Sequence, residues 1–190
     1  ALRGDLPEGG MPEGHLPHAD SLVRLIRRWE SSRVARLAAG RLAVGVACYP
    51  SGHAESASPD EDFDVLLAKQ RLGADFAITQ LFFDAEDYVR FAERARLAGV
   101  RIPLIPGIMP MTSRARVERM CQLSGLDGPK AVLDQLAAAT SPEEEKEIGM
   151  QITARLAQSV LNAGADGLHI YTHNNPDITT DLLNRIGVTP

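Results

Sequence analysis

Asp5, Tyr49, His53, Gln80, Thr112, Ser113 and the run Tyr171-Thr172-His173-Asn174-Asn175 are the polar residues that follow, or interrupt, the apolar runs of this chain. Their types limit the chemistry they can do. Asp5, in "ALRGDLP", carries a carboxylate that can stabilise a cation, or can bond the backbone of its own turn. Gln80, in "ITQLFFD", offers a donor and an acceptor on one amide, which suits a ring edge that presents both. On an apolar strand the same residue can also be a hydrogen-bonded core glutamine. His53 sits in the Gly-containing loop "YPSGH". Asp62 and Lys69 are seven residues apart and so share one face of a helix. Other chemistries have no signature. No Gly-rich loop matches a dinucleotide fingerprint or a P-loop. His15, His169 and His173 form no HxH or HExxH pattern, so no metal site is expected. Met109, Met111 and Met120 read as packing residues.

The elements that must position these residues alternate. "RLAVGVACYP" (41–50), "FAITQLFF" (76–83) and "RIPLIPGIM" (101–109) are apolar runs, as expected for strands buried on both faces, and "GLHIYT" (167–172) is a shorter one. Ala1-Leu2 read as the end of a further strand, before the turn Arg3-Gly4-Asp5. Helices fall between. Leu22, Leu25, Ile26 and Trp29 make one apolar face. Ser58-Pro59-Asp60-Glu61 is a capping box, and Gly73 ends its helix. Asp84 caps a segment that closes at Gly99, and Thr112-Ser113 form a polar helix start. Ser141 opens a helix in which Ile148, Ile152, Leu156 and Val160 recur every four residues, with Gly164 as its stop. Asn175-Pro176 opens the last one. Strand–helix alternation predicts a parallel sheet with right-handed crossovers. It leaves two architectures, an open doubly wound sheet and a closed barrel. In both, the site gathers at the carboxyl ends of the strands. A complete (β/α)8 barrel needs ~250 residues, more than the 190 here.

Composition narrows the partners. With 44% hydrophobic residues the chain can bury a core, and residues 1–190 read as a single domain. A net charge of -5 without a basic block argues against nucleic acid and anionic membranes. The start lacks the basic and apolar regions of a signal peptide, and no segment reaches the ~18 apolar residues of a membrane helix. Cys48 and Cys121 form no CxxC motif and lie in apolar stretches. Buried reduced thiols in a cytoplasmic protein are the expectation.

"ALRGDLP", "YPSGH", "DFAITQLFFD", "IPLIPGIMP" and "LHIYTHN…IGVTP" occur in the order and at about the spacing seen in methylenetetrahydrofolate reductases. The resemblance covers essentially the whole chain, and the combination of motifs is specific where any one alone is weak. It implies a flavoenzyme with a (β/α)8 TIM-barrel fold. In that family a half-barrel precedes the Arg-Gly-Asp turn, so the chain resembles the C-terminal part, about the last four to five βα units, of an α/β barrel that is incomplete here. The implied reaction is the reduction of 5,10-methylenetetrahydrofolate to 5-methyltetrahydrofolate by NADH or NADPH, ping-pong through FAD. A homo-oligomer is the expected assembly.

The resemblance also implies roles. Asp5 matches the catalytic aspartate, which favours hydride donation from the flavin and a cationic folate that accepts it. Gln80 matches the glutamine that holds the pterin. Leu2, Arg3, Gly4, Asp5, His18, Ala19, Tyr49, His53, Asp62 and Lys69 match positions along the FAD. His169 aligns with a family histidine in a core or supporting role. The pattern is departed from at His18, where many relatives have Tyr, at Val65 and Ala68 on the FAD-facing helix, at Met120, where some have an aromatic, and at Asn175, where an Arg that helps hold the substrate is usual. The family's general acid has no counterpart in these residues. An alternative therefore stands beside the reductase: a non-catalytic flavin-binding or scaffold half-barrel that needs a partner subunit.

Overall fold

The computed structural model describes residues 1–2, 4, 9–38, 40–53 and 55–188. Among these the chain alternates as its sequence predicts: α1 (Ala19–Ser31), a 3-10 turn (Val34–Leu37), β1 (Gly45–Cys48), α2 (Pro59–Arg71), β2 (Phe76–Thr79), α3 (Ala85–Ala98), β3 (Leu104–Ile105), β4 (Gly107–Ile108), α4 (Arg114–Ser124), α5 (Lys130–Ala137), α6 (Pro142–Asn162), β5 (His169–Ile170) and α7 (Pro176–Arg185). The fold is α/β with parallel strand pairs. No described helix is long and apolar enough to cross a membrane. The chain forms two compact units, one of residues 1–79 and 92–104, the other of residues 80–91 and 105–190.

In the first unit β1 and β2 run parallel, from Gly45 opposite Phe76 to Cys48 opposite Thr79. Val46, Cys48, Ala77 and Thr79 are buried, whereas the alternate residues are only half-buried. The strands thus bury one face fully, where burial on both faces was expected. Ala1 and Leu2, expected to end a strand, have no regular structure. Arg27 of α1 locks the strand entrances. Its guanidinium donates to Gly73 O at 2.6 Å and 3.0 Å, to Glu30 at 2.6 Å and to Asp75 at 2.6 Å. Asp75 in turn accepts the Val44 amide at 2.7 Å.

In the second unit β4 and β5 pair in parallel, Gly107 opposite His169 and Ile108 opposite Ile170. The single strand expected over 101–109 is two short ones. Pro106 has no N–H to donate, and its carbonyl accepts from His169 at 3.0 Å, so the ladder changes partner there. Helix α6 lies close against the segment after β4. A Cβ on Gly149 would stand 1.5 Å from Met111 O, so only glycine permits the approach. Thr153 then donates to Gly149 O at 2.7 Å and accepts the Met111 amide at 3.0 Å. Met109 and Met111 are buried, as packing residues should be.

The expected helix starts are real caps. Ser58, Ser113, Ser141 and Asn175 each accept the amide three residues on, and Asp84 accepts the Glu86 amide at 2.9 Å. Both cysteines are free and buried.

Candidate functional site

The polar residues of the first unit collect on the loop after β1 and on α2. Tyr49 and His53 meet edge to face, with ring centroids 4.5 Å apart. Asp62 shapes the loop that carries them. One carboxylate oxygen accepts the His53 amide at 3.1 Å, and the other accepts the Ser56 hydroxyl at 2.7 Å. The Glu55 amide donates to His53 Nδ1 at 3.1 Å. Nδ1 is therefore the acceptor of that ring, and Nε2 carries the proton.

Two turns further along α2, Lys69 is only 7% exposed. Its ammonium donates to Ala47 O at 3.1 Å. An ammonium has three donors, so part of its capacity is uncommitted among the described residues. Burial lowers its pKa, and the electrostatic influence of Cys48, Asp20 and Asp62 works in the opposite direction. Burial also pushes the Cys48 thiol up to about 12, although the nearby Lys69 acts to lower it. Cys48 is thus no nucleophile at neutral pH.

The remaining residues singled out in this unit are less engaged. His18 precedes α1 with an exposed ring that makes no capping bond, and Ala19 is its half-buried first residue. Leu2 is 66% exposed. Gly4 has φ +80, a conformation that side-chain-bearing residues rarely adopt. Asp5 and Arg3 lie outside the described residues.

The second unit has its own cluster. Gln80 Oε1 accepts the Leu81 amide at 2.9 Å. That bond sets the orientation of the amide and leaves its NH2 as a donor. At β5, the ring of His169 on the strand meets that of Tyr171 just after it edge to face, with centroids 4.8 Å apart. His173 and Asn174 follow with φ of 48 and 58, the only non-glycine residues with positive φ among those described. Asn175 closes the loop, its side-chain oxygen accepting the Ile178 amide at 3.2 Å. Arg116 of α4 is near enough for its charge, together with the larger effect of burial, to lower the His173 pKa. Arg116 Nε is buried and has no hydrogen-bond partner. Nothing in the sequence reading singled out Arg116. It stands among Arg114 and Arg119, like a residue of a solvated face. The usable signal was its place four residues before Met120, on the edge of the apolar stripe formed with Val117 and Cys121.

Among the described residues no group of three or more His, Cys, Asp or Glu could hold a metal ion. The donors present suit organic and anionic ligands. Lys69 and the Nε2 proton of His53 offer positive or polarised hydrogens in the first unit. Gln80 and Arg116 do so in the second.

A sequence profile of the methylenetetrahydrofolate reductase family matches residues 1–187. A Caenorhabditis elegans protein named probable methylenetetrahydrofolate reductase (NADPH) is 33% identical over 99% of this chain, which spans 28% of that protein. The 5,10-methylenetetrahydrofolate reductases of Pectobacterium carotovorum and Escherichia coli are 31% and 30% identical over the whole chain, which spans 60% of each. Among solved structures, an uncharacterized Clostridium thermocellum protein, described as binding two copies of 5-methyl-5,6,7,8-tetrahydrofolic acid, superposes with a TM-score of 0.55 at 14% identity. That match covers 93% of this chain and 60% of the other, and it speaks to the fold alone.

Proposed function

This chain belongs to the methylenetetrahydrofolate reductase family, and from that premise we propose that it forms the C-terminal part of a (β/α)8 barrel that reduces 5,10-methylenetetrahydrofolate to 5-methyltetrahydrofolate. FAD, when bound, supplies a two-electron carrier between NADH or NADPH and the folate, which gives ping-pong kinetics.

The residues present fit that cofactor. Lys69 supports the fit best, because a buried ammonium with one hydrogen bond to a carbonyl is costly unless an anion comes to it. It would hold the FAD diphosphate by charge-assisted hydrogen bonds. Tyr49 and His53 would line the same ligand, His53 through its Nε2 proton. Asp62 keeps their loop in shape, and with acceptor capacity left on both oxygens it would also lie along the cofactor. Gln80 would donate its free amide hydrogens to an acceptor on the pterin. Asp5, on the strength of its Arg-Gly-Asp motif, would stabilise positive charge on the folate as the hydride arrives.

The buried, partly uncommitted cation of Lys69 on a family scaffold carries this reading. Its test is the visible absorption spectrum of the full-length protein. The expected result is a flavin band that NADH or NADPH bleaches without oxygen and that methylenetetrahydrofolate restores. A colourless protein that takes up no flavin would overturn it.

A further inference from the structure

We propose that one flank of α1, built from Leu22, Leu25, Ile26 and Trp29, is a docking surface for an amphipathic helix with acidic residues along its edge, supplied by the part of the full-length polypeptide outside residues 1–190. The proposal rests on the barrel reading above for the source of that helix, and on the first unit for the surface.

The sequence marks these four residues as one apolar face, and such a face is normally turned to a core. Here it is only partly covered. Val23 is fully buried, Ile26 and Leu22 are half-buried, Trp29 is 43% exposed and Leu25 50%. At about 100° per residue, Ile26, Leu22, Trp29 and Leu25 follow one another around the helix away from Val23, on the side opposite Arg27. Exposure therefore rises across one flank, while the other is taken. Arg27 donates to Gly73 O, just past α2, and to Asp75, and Glu30 accepts the Leu42 amide at 2.5 Å. These bonds fix the rotation of α1, so it cannot turn the flank inward. Covering it takes a partner.

The rim says which partner. Arg28 is three residues from Leu25 and so stands beside it on the helix surface. The Arg33 guanidinium lies 4.7 Å from the centroid of the Trp29 ring. Neither arginine belongs to an ion pair among the described residues, so the apolar flank has a positive border. A second copy docking through the same flank would set arginine against arginine. A helix with an apolar stripe and an acidic edge matches both features. Length and place give its source. The chain spans 60% of the bacterial reductases and 28% of the Caenorhabditis elegans protein. In a (β/α)8 barrel the helices form a closed outer ring, so each has a neighbour on both sides. Helix α2 is one neighbour of α1. The Ala1 nitrogen donates to Gly45 O, so residues joined through it enter beside β1, the strand that α1 leads into.

Trp29 is the single tryptophan of residues 1–190, and the difference in fluorescence between the full-length protein and its Trp29→Phe variant isolates it. Its emission should lie to the blue of free tryptophan in water. Acrylamide should quench it severalfold less than it quenches free tryptophan, at every protein concentration. Leu25→Glu should lower the urea midpoint of the full-length protein, and Arg28→Glu should lower it by less. Arg24→Glu, at an exposed position on the opposite side of α1, should leave it unmoved. A Trp29 quenched as readily as free tryptophan overturns the proposal. So does shielding that fades on dilution, which assigns the flank to a second copy, or an unmoved midpoint for Leu25→Glu. An unmoved midpoint for Arg28→Glu overturns the acidic edge. The readout needs neither flavin nor folate. A full-length protein that takes up no flavin refutes the proposed reaction, while Trp29 still decides what covers α1.

Discussion

The loop after β1 and the loop after β5 both carry polar residues past a strand end, and they are held in opposite ways. In the first, Asp62 occupies both carboxylate oxygens on the loop, His53 Nδ1 accepts from Glu55, and Ser58 and Glu61 complete a cap. In the second, His173 and Asn174 adopt left-handed backbone, Asn175 is tied by its side chain, and Arg116 keeps a buried donor unmatched. A loop bonded to itself loses little freedom when a ligand binds, which suits a cofactor that stays. A loop beside uncommitted donors gains its bonds only from the ligand, which suits a substrate that comes and goes. The contrast lies in how much of each loop's hydrogen bonding is already satisfied within the chain.

The largest expected effect would break the second loop's support. Gly149→Ala drives a Cβ into the Met111 carbonyl and should cost about 3 kcal/mol or more. Urea unfolding of the full-length protein measures it, and an unmoved midpoint would show that α6 does not rest on the segment after β4.

Next comes the first loop's cation. Lys69→Met should weaken flavin binding about tenfold to a hundredfold, the loss expected for charge-assisted hydrogen bonds. The flavin-free protein should unfold at the same or higher denaturant, because a buried ammonium is relieved. Flavin fluorescence quenching gives the affinity. Unaltered binding would make Lys69 structural and erase the distinction between the loops.

A smaller change would sharpen the comparison. Asp62→Asn retains one acceptor and replaces the other with a donor, so the first loop should loosen by about 1 kcal/mol. Exchange of the His53 amide should then quicken severalfold. If the amide exchanges at the parental rate, the loop is held by something other than Asp62.

The smallest effect is set by acid. Glu147 of α6 accepts two hydrogen bonds from Arg185 of α7, at 2.9 Å and 2.7 Å, and one from Gln151. The Arg185 bonds first, and Gln151 second, hold its pKa down from an ordinary 4.5 to about 2. A carboxylate with a depressed folded value stabilises fully above its ordinary value, and that stabilisation disappears as pH falls from there through about 2. The pair is solvent-screened, so the change is modest. Thermal unfolding between pH 6 and pH 3 should drop slightly less in Glu147→Gln than in the parent. An identical pH slope would show that α7, whose first turn closes the second loop, is not anchored by this pair.

Much of the helical framework was legible. Ser58, Asp84, Ser141 and Asn175 announced their helices because a cap bonds an amide two or three residues away, and Gly73, Gly99 and Gly164 marked the ends. Helix α5 was not legible, since Pro129 gives it no side-chain cap and its eight residues depend on burying Val132 and Leu136. Strand lengths were overread, because apolar runs reveal burial but not pairing, and Pro106 switches partners inside one such run. At the site, the shared helical face of Asp62 and Lys69 followed from their spacing. The commitment of Asp62 to its own loop did not, nor did the isolation of Arg116 among similar arginines.

What the chain alone determined is therefore local: where helices start and stop, and which polar groups follow each strand, since both depend on neighbours within a few residues. Tertiary structure alone decided which of those groups are already bonded. Lys69 meets Ala47 across 22 residues, and Met111 meets Thr153 across 42. Hydrogen bonds and desolvation are set by whatever the fold brings within about 3 Å, and sequence spacing carries no record of those distances.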